Sequence, residues 1–229
     1  MGYQIPATSY EQDRALSTDY GLLSTQYSVL STEQGLPALA PGQVAVLSGE
    51  PGLGMTRLGL VMLSGYTGGA VAYLDVRGWL SPIAAWEVGI DPDRLVIARC
   101  REVVRWGRAA AALLDGAAAV MAEVPAGAKD ASIRKLASLA RNRRTPLLLR
   151  PVDRAIPAGL AHLMLEAREI TWTGTVDGHG RIEQRKTRII ASGKAMKGMT
   201  RTIEMEDDGS NALRVVSGVG AAETRSATG

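Results

Sequence analysis

Apolar residues along this chain arrive in two rhythms. Residues 43–48 (QVAVLS), 70–75 (AVAYLD), 95–98 (LVIA), 118–124 (AAVMAEV) and 147–149 (LLL) are short, nearly unbroken apolar runs. Runs of this length read as strands buried on both faces. Between them, 57–66, 82–88, 102–114 and 132–142 read as helices. In the last, Ile133, Leu136, Leu139 and Ala140 recur at helical spacing, with Arg134, Lys135 and Arg141 elsewhere on the helix. Strands alternating with helices predict an α/β fold with a mostly parallel central sheet flanked by helices. Beyond residue 167 the period shortens to two: 168–176, 181–191 and 200–205 alternate like half-exposed strands, with Asp177-Gly178 as a hairpin turn. The expected α/β core is therefore extended by C-terminal antiparallel strands.

The two ends follow neither rhythm. Residues 1–34 are rich in Ser, Thr, Gln and Tyr and repeat Leu-Ser-Thr at Leu16, Leu23 and Leu30. Seven-residue spacing would align the leucines on one helix face, whereas Ser-Thr pairs disfavour a helix interior. From Asp207 onward Gly, Ser, Ala and Thr dominate. The chain thus divides into a flexible arm at 1–34, an α/β domain at 35–207 and a disordered tail at 208–229. Its 229 residues suffice for one full core, which must be packed by Ala, Val, Leu and Ile because Phe is absent. Cys100 is the single cysteine, so no internal disulfide forms, and His162 and His179 lack metal-ligand spacing. No run approaches the roughly 18 apolar residues of a membrane span. No basic-then-apolar leader is visible at the N-terminus, and a reducing cytoplasm is the expected compartment.

Residues 49–56 read Gly-Glu-Pro-Gly-Leu-Gly-Met-Thr. This is the phosphate-cradling pattern G-x-x-x-x-G-K-[ST] with Met55 at the lysine position, set between a strand and a helix. Gly49, Gly52 and Gly54 suit a tight loop whose N–H groups face phosphates, and Thr56 suits Mg²⁺; Met55 keeps a similar length without the charge. The dinucleotide order G-x-G-x-x-G is absent. The competing reading is a glycine-rich turn that holds no nucleotide. Asp75 ends a strand near the ligand crevice of such folds, and Asp is equally a residue that caps the next element. Trp172, in an alternating strand beside basic residues, suits packing or stacking on a base.

Net charge is only +3, but it is unevenly spread. Residues 129–201 hold 16 Lys/Arg against 6 Asp/Glu, and residues 1–76 hold 2 against 6. Such asymmetry suggests an anionic partner for the basic half, or simply a solvated face. Arg141, Arg143, Arg144, Arg185, Lys186 and Arg188 are the candidate nucleic-acid-binding or partner-binding residues.

The order of elements, with these motifs, resembles the core of the RecA family over roughly residues 35–207. Residues 69–75 are similar to the strand bearing that family's catalytic carboxylate, 89–97 to its next turn and strand, and 193–197 to a basic turn late in its sheet. Leu114-Asp-Gly116, the basic helix with the following strand, and Trp172 with Asp-Gly-His-Gly-Arg181 resemble the short actinobacterial ImuA-prime proteins. That resemblance implies an accessory role in SOS-induced mutagenesis and translesion synthesis. The implied partners are an inactive Y-family polymerase relative (ImuB-like) and an error-prone DnaE-type polymerase, with RecA and DNA as further candidates and no membrane. Against the ATPase pattern, Met55 replaces the lysine, Arg77 the glutamate expected two residues after Asp75, and Glu123 the metal-side aspartate. The three departures strike phosphoryl transfer at three points, so a pseudo-ATPase needing no cofactor is expected, with ATP and Mg²⁺ held only weakly. The alternative is a nucleotide-dependent RecA/KaiC-type ATPase that modulates homologous recombination.

Overall fold

The computed structural model describes residues 30–31, 37–174, 184–208 and 213–219. Leu16 and Leu23 of the repeat, the Asp177-Gly178 turn and His179 lie outside the described residues, as does most of the tail.

Two short strands, β1 (Leu30–Ser31) and β2 (Pro37–Ala38), pair with each other ahead of the main sheet. The core then alternates as its apolar runs predict. β3 (Val44–Ser48), α1 (Met55–Ser64), β4 (Val71–Asp75) and α2 (Pro82–Trp86) come first. β5 (Leu95–Arg99), α3 (Val103–Gly116), β6 (Ala119–Val124), α4 (Asp130–Arg143) and β7 (Leu147–Pro151) follow. β8 (Leu163–Thr173), β9 (Gln184–Ser192), β10 (Arg201–Asp207) and β11 (Leu213–Val219) are the last of the described elements. The nine-stranded sheet runs β11-β10-β9-β8-β3-β7-β6-β4-β5. From β5 to β8 neighbouring strands are parallel, and from β8 to β11 antiparallel.

Alternation along each central strand feeds two cores. Ala45, Leu47, Val71, Tyr73, Ala119, Met121 and Leu148 face α1 and α2. Val44, Val46, Ala72, Leu74, Val120, Ala122, Leu147 and Leu149 face α3 and α4. Both faces of a parallel sheet are thus covered, which is why its strands read as unbroken apolar runs. α1 lies close to the sheet because Gly59 has no side chain: a Cβ there would stand 2.4 Å from Met121 Sδ and 2.9 Å from Leu47 Cδ1.

Two expectations need correction. The segment from 208 is not wholly a disordered tail, because Leu213–Val219 pairs antiparallel with β10. Its Leu-Arg-Val-Val-Ser-Gly-Val sequence is rich enough in β-branched residues to join a sheet edge despite the Gly and Ser around it. The strand expected from 168 begins at Leu163. This start is what makes β8 the pivot, since Leu163–Glu166 pair parallel with β3 while the rest of the strand pairs with β9 alone. The antiparallel strands therefore project past the carboxyl end of β3, over the glycine-rich loop.

His162 ties this pivot to β3. Its N–H donates to the Val44 carbonyl (2.8 Å), and its Nδ1 accepts from the Val44 N–H (3.2 Å). Burial, Lys194 and Arg141 hold its pKa below the ordinary 6.5. A depressed histidine contributes stability while neutral, which is lost as protons bind. Urea unfolding is therefore expected to show stability falling as pH drops through about 6.5, and His162→Asn should flatten that fall. No helix among the described residues is long and apolar enough to cross a membrane.

Candidate functional site

The glycine-rich loop leaves the carboxyl end of β3 and enters α1. Gly49, Gly52 and Gly54 all have positive φ (137°, 90° and 80°), so the loop needs glycines at these positions. No side chain caps the start of α1. Its first-turn N–H groups thus lie at the edge of a cavity of about 400 Å³. Gly52, Gly54, Met55, Thr56, Tyr73, Arg77, Glu123, Arg150 and Arg185 are among its lining. A helix N-terminus opening on a cavity at the carboxyl end of a parallel strand is a phosphate-binding geometry.

Met55 contributes to that wall but is 1% exposed and packs into the core beneath α1. The cations of the cavity come from elsewhere. Arg150, at the end of β7, is 5% exposed. Its Nη2 donates to the Gly49 carbonyl (2.9 Å) and its Nη1 to the Pro151 carbonyl (3.1 Å), pinning the start of the loop to β7. Burial and the charge of Arg77 lower its pKa. Arg185, on the overhanging β9, lies against Gly54: a Cβ there would stand 3.1 Å from its Nη2. Asp207 (2.7 Å) and the Trp172 ring (5.7 Å) hold that guanidinium in place. Arg57 reaches Glu87 (3.4 Å) and lies 3.2 Å from Asp207.

Glu123, the metal-side carboxylate of the sequence pattern, is 1% exposed and fully engaged. Its Oε2 accepts the N–H groups of Val76 (2.9 Å) and Arg77 (3.0 Å). Its Oε1 accepts the Tyr73 hydroxyl (3.1 Å), Arg77 Nε (2.9 Å) and Arg77 Nη2. A carboxylate offers about four lone-pair sites, so none remains for a metal-bound water. Burial pushes the Glu123 carboxyl upward, but the hydrogen bonds and charge of Arg77 outweigh it and hold the group below its ordinary 4.5. The guanidinium of Arg77 thus takes up the charge of Glu123 and leaves it no lone pair for a metal-bound water, so the residues here do not fit a Mg·nucleotide complex. The two departures noted at positions 77 and 123 are partners in one ion pair.

Asp75 does not line the cavity. Its Oδ1 accepts from Gly78 (2.7 Å) and Trp79 (3.2 Å) and its Oδ2 from Leu80 (3.2 Å), so it caps the turn after β4. Gly49 acts through its backbone, as the acceptor for Arg150.

The six candidate basic residues do not form one surface. Arg141, Arg143 and Arg144 sit at the end of α4, where Gly42 packs against the Arg141 backbone, beside the amino ends of β3 and β7. Arg185 lies at the opposite, carboxyl end. Lys186 pairs with Glu206 (2.7 Å), and Arg188 with Glu169 (2.6 Å) and Glu204 (3.6 Å), each directly across the sheet. The charge run on β9 is therefore largely compensated by its neighbours, while Arg143 pairs with Asp115 (2.8 Å). Arg150 was not singled out from the sequence, since it ends an apolar strand. An arginine inside such a run beside a glycine-rich loop is the signal that marks it.

The RadB recombinase has a similar structure, with a TM-score of 0.55 at 15% sequence identity, covering 78% of this chain and 92% of that one. At that identity the likeness concerns the fold, which is RecA-like. No curated protein matches the sequence. Residues 33–154 match the family model described as the MT3502 N-terminal domain. With that model spanning more than half of its length, the chain belongs to the MT3502 N-terminal domain family.

Proposed function

We propose that this chain is a non-catalytic RecA-like accessory protein of the ImuA-prime type. It helps assemble an inactive Y-family polymerase relative and an error-prone DnaE-type polymerase at damaged DNA during SOS-induced mutagenesis. The observation that carries the non-catalytic part is the ion pair between Arg77 and the buried Glu123. Phosphoryl transfer needs a positioned metal and a group to orient the nucleophile. Here the metal-side carboxylate is saturated, the water-activating position is a guanidinium, and the loop ammonium is absent. What persists is a rigid scaffold with an arginine-lined cavity, which suits docking better than turnover. The alternative, a recombination-modulating ATPase, draws support only from the loop glycines and Thr56.

In this reading the basic end of α4 meets a partner. Arg143 and its pairing residue Asp115 are both about half exposed, and surface pairs of this kind are weak and readily exchanged for a partner's carboxylates. Arg143→Glu with Arg144→Glu is expected to weaken co-purification with the Y-family polymerase relative at least tenfold, while the chain stays folded and loses only about 1 kcal/mol from negative charge at the helix end. Co-purification at native levels would remove α4 from the docking surface. No association of the native chain with either polymerase would remove the accessory role itself.

A further inference from the structure

The turn capped by Asp75 places Trp79, at the rim of the cavity above, beside arginines that the site does not use. While the Asp75 carboxylate holds Gly78, Trp79 and Leu80, its carbonyl accepts from the Cys100 N–H (3.0 Å). The segment after β4 is thereby fastened to the segment after β5. Trp79 is left 69% exposed, with the guanidinium of Arg77 4.6 Å from its ring centroid. Arg101 stands beside it: a Cβ on Gly78 would lie 3.0 Å from Arg101 Nη2. Arg99 is 62% exposed, with its Nε 3.7 Å from Asp75.

α3 starts at Val103, where Arg105 and Arg108, three residues apart, share one helix face, and Arg101 lies two residues ahead of it. Residues 99–108 hold four arginines and one glutamate, a local excess of three. Only Arg105 meets that glutamate, Glu102, at 3.0 Å. Arg101 and Arg108 make no ion pair among the described residues. The contrast with β9 decides between the two basic regions: there cross-strand carboxylates answer the cations, whereas here Arg101 and Arg108 are left without one, and Arg101 lies next to a largely exposed indole.

We infer that this surface binds single-stranded nucleic acid, with a base stacked on Trp79 and the phosphate backbone following Arg101, Arg105 and Arg108. An exposed aromatic adjoining a line of cations is what a flexible, unstacked strand requires. A duplex hides its base faces and would engage the arginines alone. An acidic peptide would likewise use the arginines and leave the indole idle. The inference does not depend on the polymerase partners, and its failure would leave the Arg77–Glu123 argument standing.

The test is anisotropy of a labelled oligothymidylate of about 20 nucleotides with the full chain. Trp79→Ala is expected to weaken binding about tenfold, within the range of one stacked base, and Trp79→Tyr to recover most of it. Arg101→Gln with Arg105→Gln should weaken binding and flatten its salt dependence by about 0.7 in logarithmic slope per contact removed. A duplex of the same sequence should bind with no sensitivity to Trp79→Ala. Absence of single-strand binding at about 50 mM salt, or binding indifferent to Trp79, would overturn the proposal. So would polyglutamate displacing the oligonucleotide equally from the native chain and Trp79→Ala, which would make the patch a docking face for acidic protein.

Discussion

Arg77→Met is expected to destabilise the fold by about 3–5 kcal/mol, because it strands Glu123 as a buried, uncompensated carboxylate. Glu123 is 1% exposed, and the Arg77 side chain supplies two of its five hydrogen bonds, the other three coming from the uncharged Tyr73 hydroxyl and the Val76 and Arg77 N–H groups. Removing both charges should cost far less. Arg77→Met with Glu123→Gln is expected to recover most of the lost stability, because the amide carries no charge and still offers partners to Tyr73 and to the Val76 and Arg77 N–H groups. The pair also sets a pH dependence. Because the folded-state pKa of Glu123 lies below its ordinary 4.5, its contribution is complete above that value. It is lost as pH falls through the lower, folded-state value. Urea unfolding across this acid range should therefore be steeper for the native chain than for the double variant. A native chain that loses no more stability than the double variant would mean that the pair is weaker than its geometry.

Met55→Lys is expected to restore the sequence pattern of the loop and none of its chemistry. Met55 is 1% exposed within the α1 core, and an ammonium placed there finds Glu123 already saturated. The variant should lose on the order of 3 kcal/mol, the cost of an unpaired charge in an apolar setting. Phosphate release from Mg·ATP should stay at background. Reversal requires all three departures together: Met55→Lys, Arg77→Glu and Glu123→Asp. That combination frees a carboxylate for metal-bound water and returns the water-activating group, so calorimetry should find Mg²⁺-dependent ATP binding in the triple variant and not in Met55→Lys alone. Turnover by Met55→Lys alone would show that the Arg77–Glu123 pair opens readily.

The central fold was legible because strands buried on both faces leave no choice of pattern: Val44, Ala45, Val46 and Leu47 are all apolar, and each serves one of two cores. The reach of the antiparallel part was not. Leu163, Leu165 and Ala167 face the core while Met164 is exposed, but a stretch this short does not reveal that it also pairs parallel with β3. At the site, Met55, Arg77 and Glu123 were visible as separate departures. Their coupling was hidden because positions 77 and 123 meet only once β4 lies beside β6, with Leu74 opposite Ala122. Charge counting misled for a related reason. It marked β9, whose cations find carboxylates across the sheet, and passed over residues 99–108, where Arg101 and Arg108 make no ion pair among the described residues. Sequence windows register the sign of charge along the chain, whereas compensation is decided between strands.

The central claim is that an ion pair has closed the metal position of a RecA-like scaffold. Its most direct test is steady-state phosphate release from Mg·ATP by the native chain, measured beside Thr56→Ala. The two proteins are expected to be indistinguishable, both at the level of buffer alone. Sustained Mg²⁺-dependent release by the native chain, abolished in Thr56→Ala, would contradict the account.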